Sequence, residues 1–96
     1  MAAPTAVRPT VQLRLPADLL VLAALAALHR PGPAVALVTR SIRDQAQELP
    51  RHVLADLVDV IETWLRTEGA AAPHFDRDPW RVALHAVRAA RAGARS

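Results

Sequence analysis

Four stretches of the chain carry apolar residues at helical spacing, and one short stretch alternates with a period of two. From Pro16 to His29 the residues are apolar on nearly every face, and Leu19 to Leu28 are ten uninterrupted apolar positions. From Ala34 to Leu49, Val35, Val38, Ile42, Ala46 and Leu49 fall on one stripe, with Arg40, Arg43, Asp44, Gln47 and Glu48 opposite. That three-and-four spacing is the mark of an amphipathic helix. A third helix is expected from Pro50 to about Glu68, with Val53, Leu54, Leu57, Val58, Ile61, Trp64 and Leu65 making a broad apolar face. His52, Asp56, Asp59, Glu62 and Thr63 make its polar one. A fourth is expected to open at Asp78-Pro79, an N-cap followed by a first-turn proline, and to run to about Ala92. Its stripe is Trp80, Ala83, Leu84, Val87 and Ala90.

Ahead of these helices, Thr10-Val11-Gln12-Leu13-Arg14-Leu15 alternates polar and apolar, the pattern of a half-buried strand, and Pro16 stops it. Residues 1–9, with Pro4 and Pro9 among small residues, read as a flexible tail. The expected fold is therefore mainly all-α: about four helices in one domain over residues 10–96. A short N-terminal extended segment or β-strand, able to pair in a dimer, precedes them. The first helix is so apolar that the other helices or a second chain must cover it.

Composition narrows the picture. Ninety-six residues hold one core. Only Trp64, Phe75 and Trp80 are aromatic, so the core is built from Leu, Val and Ala, which suits close helix packing. The chain has twelve Arg and no Lys, a bias that reads as a GC-rich, bacterial genome. A net charge of +3 is mildly basic rather than polybasic. With no cysteine, disulfides, thiolate metal sites and thiol nucleophiles are excluded, which fits a cytoplasmic location. Ten apolar residues make a helix of about 15 Å, half of a bilayer core. Pro16 and Asp18 before the run and Arg30 after it favour a buried helix over a secretory leader or a membrane span.

Candidate catalytic chemistry is sparse. Ser41 and Ser96 are the only serines, and neither sits in a glycine-flanked turn. His52 with Asp56, and His74 with Asp76, lack the spacing of helical metal ligands. Asp56, Asp59 and Glu62 form a carboxylate row of the kind seen on a solvated helix face. No enzyme activity, cofactor or metal is expected. Charge is segregated, however. Residues 51–69 are acidic on balance, whereas residues 70–96 set five arginines against Asp76 and Asp78. Arg77, Arg81, Arg88, Arg91 and Arg95 form a candidate basic face on the fourth helix, with His85 at its edge. Such a stripe can line phosphates, face the acidic side of the third helix or of a partner, or be a solvated surface with arginine stems over apolar area.

The segment Thr10 to Pro16, followed by a helix, a Gly-containing turn and a second helix, resembles the ribbon-helix-helix family of DNA-binding proteins. The resemblance covers residues 10–49, and residues 50–96 form a two-helix extension. In that family two chains pair their short strands into a ribbon that enters the major groove. The resemblance implies that Thr10, Gln12 and Arg14 face DNA while Val11, Leu13 and Leu15 face the dimer core. Gln pairs bidentately with adenine and Arg with guanine. It also places Gly32 and Ala34, at the start of the second helix, near the DNA backbone. C-terminal extensions in this family look like oligomerisation or partner-binding parts, and in antitoxins they bind the toxin. The expected function is a non-enzymatic, homodimeric DNA-binding protein, a small transcriptional repressor or antitoxin. The alternative is an all-helical protein–protein interaction module, such as an accessory subunit, adaptor or phage inhibitor, with no nucleic-acid binding.

Overall fold

The computed structural model describes residues 15–30 and 32–93, so the expected strand residues Thr10 to Arg14, the tail before them and Arg95 lie outside the described residues. The described chain is all-α, with α1 Ala17–His29, α2 Pro33–Gln45, α3 Arg51–Arg66 and α4 His74–Gly93. A 3-10 turn, Ala46–Glu48, prolongs α2, and another, Glu68–Ala71, follows α3.

Prolines set several of the boundaries. The Pro16 carbonyl accepts the N–H groups of Leu19 and Leu20 and so starts α1, with Asp18 favourable against the helix dipole in the first turn. Pro33 occupies the first position of α2, where a missing N–H costs nothing. The Pro50 carbonyl starts α3 by accepting from Val53 and Leu54. The fourth helix departs from the sequence expectation, because it begins at His74, one turn before Asp78-Pro79. The Pro73 carbonyl accepts the N–H groups of Asp76 and Arg77 and initiates the extra turn. Pro79 is thereby placed inside the helix, at the cost of the one bond its nitrogen cannot donate.

Each helix has two principal neighbours. α1 packs on α2 and α3, and α4 packs on the same two helices, which sets α1 and α4 at opposite corners of a four-helix bundle. Leu20, Ile42, Leu57, Ile61 and Trp80 are fully buried where the four faces meet. Burying each of these large side chains contributes about 1.5–3 kcal/mol. Every stripe residue expected for α4 is buried, as are Val38, Ile42, Ala46 and Leu49 of the second segment. Ala24, Ala27, Ala83 and Ala90 are buried too, and their small side chains let the backbones approach closely.

Two polar or small residues are constrained by this packing. Gly69 is buried under Trp64, and a Cβ there would lie 2.6 Å from two atoms of the indole ring and 2.8 Å from the Trp64 carbonyl. Gln45, also buried, reaches back to the residue before α1. The Leu15 N–H donates to Gln45 Oε1 at 3.1 Å, and Gln45 Nε2 donates to the Leu15 carbonyl at 2.9 Å. One side-chain amide thus satisfies both backbone groups of Leu15, as a neighbouring strand would. It fixes where the N-terminal segment joins the bundle.

Two stability measurements check these contacts by urea unfolding. Gly69→Ala is expected to lower stability by about 1–3 kcal/mol, because Trp64 or the turn must shift. Gln45→Leu, which strands the N–H and C=O of Leu15, is expected to cost about 1–3 kcal/mol. The exposed neighbour Gln47→Leu is expected to stay within about 0.5 kcal/mol of the parent. Equal effects at positions 45 and 47 would remove the clamp from the explanation.

Candidate functional site

Of the residues implied in DNA reading, Thr10, Gln12 and Arg14 fall outside the described residues, and the nearest described position is Leu15. Leu15 is half-buried against the core, and its backbone groups point at Gln45 near the C-terminal end of α2. Gly32 and Ala34 are exposed at the other end of α2. Pro33 has no N–H and the Val35 N–H donates to the Gly32 carbonyl at 3.0 Å, so of the first three residues of the helix only Ala34 offers a backbone N–H to an anion. Gly32 caps the helix without a side-chain hydrogen bond. Gln45, which holds Leu15, and the start of α2 are therefore separated by the length of α2, about 18 Å for this many residues at 1.5 Å each.

The arginines of α4 divide into different roles. Arg77 is half-buried, and its Nη2 donates to His74 Nδ1 at 3.0 Å. Its Nε is buried without a hydrogen-bond partner. Arg88 crosses to α3 and pairs with Glu62, which is also 3.9 Å from Arg66 of its own helix. Arg81 and Arg91 are exposed. Of the three readings of the stripe, the one in which it faces the acidic side of the third helix holds for Arg88. The partners are exposed enough that this bridge orients side chains more than it stabilises the fold.

Arg40 and Asp44 pair at 3.8 Å along the exposed side of α2. Ser41 is buried within α2, and His52, Asp56, Asp59 and His85 are exposed. Among the described residues no three His, Asp or Glu side chains converge as a metal site would require. No helix of the described residues is long and apolar enough to cross a membrane.

The exposed apolar surface is more extensive than the stripes of α2, α3 and α4 suggest. On α1, Leu19, Leu22 and Leu25 are 48%, 60% and 37% exposed. Phe75, at the start of α4, is 75% exposed and borders a pocket of about 310 Å³ lined also by Val35, Trp64, Asp76 and Trp80. Two of these features escaped the sequence reading. Gln45 sits seven residues after Val38 and four before Leu49, so a polar residue at a core position was the available signal. Phe75 lies in the turn that precedes the expected helix start, and no periodic pattern includes it.

Compared with family models, with curated proteins and with solved structures, the chain finds no match.

Proposed function

We propose that this protein is a non-enzymatic, homodimeric DNA-binding protein, a small transcriptional repressor or antitoxin, whose N-terminal residues form the reading element. The observation that carries this reading is the Gln45 clamp on Leu15. In an extended strand, successive residues direct their backbone groups to opposite edges and their side chains to opposite faces. With Leu15 turned toward α2 and its side chain on the core, a strand continued back from it would set Arg14, Gln12 and Thr10 on the opposite face. In such a strand their N–H and C=O groups would take the edge away from Gln45, the edge on which the same segment of a second copy would pair. Amide and guanidinium side chains in that alternation suit adenine and guanine edges in the major groove.

The start of α2, with Gly32 and Ala34 exposed, then serves phosphates that flank the ribbon rather than those beneath it. At about 3.4 Å of duplex per base pair, the 18 Å along α2 corresponds to about five base pairs. Arg81 and Arg91, exposed on α4, contribute only to the general positive field in this arrangement.

A second reading, the helical protein–protein interaction module, is favoured by the exposed Phe75 and the aromatic pocket beside it. Exposed apolar surface beside a preformed cavity is where a partner's side chain finds area to bury.

A gel-shift titration on randomised duplex pools, run at two salt concentrations, separates the two. The DNA reading predicts selection of a two-fold-symmetric site and an affinity that falls steeply with salt. It also predicts that Arg14→Ala weakens the selected site about tenfold or more, with the helical fold unchanged by circular dichroism. No retained duplex at low salt would leave the interaction-module reading in its place.

A further inference from the structure

We infer that the outer face of α1 pairs with the same face of a second copy, the two helices running antiparallel. Leu20, Ala24, Ala27 and Leu28 turn inward and are buried. Leu19, Leu22 and Ala26 recur at three- and four-residue spacing on the other side and are exposed, a seam of the kind that seats one helix on another. No described element of the chain covers it.

The ends of this seam argue for a second copy. Asp18 stands at its N-terminal end, and His29 and Arg30 stand at its C-terminal end, all three exposed. A parallel partner would set Asp18 beside Asp18 and Arg30 beside Arg30. An antiparallel copy with Leu22 opposite Ala26 of its mate instead brings each Asp18 to the His29–Arg30 end of the other chain, twice over by symmetry. The same register lays a large side chain on a small one, as close helix packing requires. His29 fits the arrangement, because its Nδ1 already donates to the Leu25 carbonyl at 2.9 Å and only Nε2 remains to face outward. The helix dipoles of an antiparallel pair also oppose each other.

A pair of 13-residue helices covers less than the roughly 800 Å² per partner of a standard stable interface. So small an interface is expected to dissociate on dilution. This inference rests on the dimeric part of the proposed function and names the surface through which two copies meet; it does not depend on DNA binding.

Sedimentation of the full chain over a range of concentrations tests it. Leu22→Glu is expected to leave the chain monomeric with its helicity intact. Asp18→Arg and Arg30→Asp are each expected to weaken the dimer about tenfold, because each places like charges together twice. The double exchange Asp18→Arg with Arg30→Asp is expected to restore the dimer to within about threefold. A parent chain that stays monomeric, a Leu22→Glu chain that dimerises like the parent, or a double exchange no better than either single one overturns the inference. Gln12→Pro removes an N–H from the proposed ribbon and is the complementary variant. Loss of DNA binding with dimerisation kept supports the α1 interface. Loss of the dimer in Gln12→Pro but not in Leu22→Glu overturns it and leaves the DNA reading standing. A dimer that obeys the charge exchange but binds no duplex upholds the α1 interface and sinks the DNA reading.

Discussion

The rest of the structure depends on how a nearly uncharged helix, α1, is kept from water. It offers apolar side chains all round, and a bundle of four helices can cover only one side of a corner helix. That side is taken by α2 and α3, with Leu20 and Ala24 sealed completely. The other side keeps Leu19 and Leu22 48% and 60% exposed, an arrangement that invites a partner on general grounds. Sequence pattern, bundle geometry and proposed interface are in this sense one constraint met in two steps.

The Gln45 amide plays a complementary part at the end of the same helix. It holds the residue before α1 by two hydrogen bonds and gives the N-terminal segment a defined departure from the bundle. A polar side chain spent on backbone groups at a buried position is costly to remove and directional while it lasts. It gives Leu15 a facing, with both of its backbone groups on one edge. The proposed placement of Thr10, Gln12 and Arg14 on a common outer face follows from that facing. On the opposite corner, the bridge from Arg88 to Glu62 joins α3 to α4 and draws part of the basic stripe into the fold.

Much of this was legible in the sequence because periodicity reports burial directly. The stripes read for α3 and α4 are the buried faces, apart from the half-buried Trp64 and Leu65 near the end of α3. The start of α4 was misplaced because Asp78-Pro79 is a strong local signal, while the feature that prevailed, the Pro73 carbonyl, has no side-chain signature. In α1 the inner and outer faces could not be told apart, since a helix apolar all round has no phase to read. Only packing against α2 and α3 distinguishes Leu20 from Leu22. The proposed reading residues ahead of α1 rest on alternation and resemblance, and the part played by Gln45 lies in its contact with Leu15, which no sequence pattern marks.

The claim beneath all of this is that one chain completes its own core and uses what is left of α1 to meet another. Sedimentation equilibrium on serial dilution, with far-ultraviolet circular dichroism recorded at each concentration, tests it most directly. A core complete within one chain predicts that the mass falls from two chains to one while the helical signal holds. A helical signal that collapses together with the mass would show that the core is shared between chains, and would contradict it.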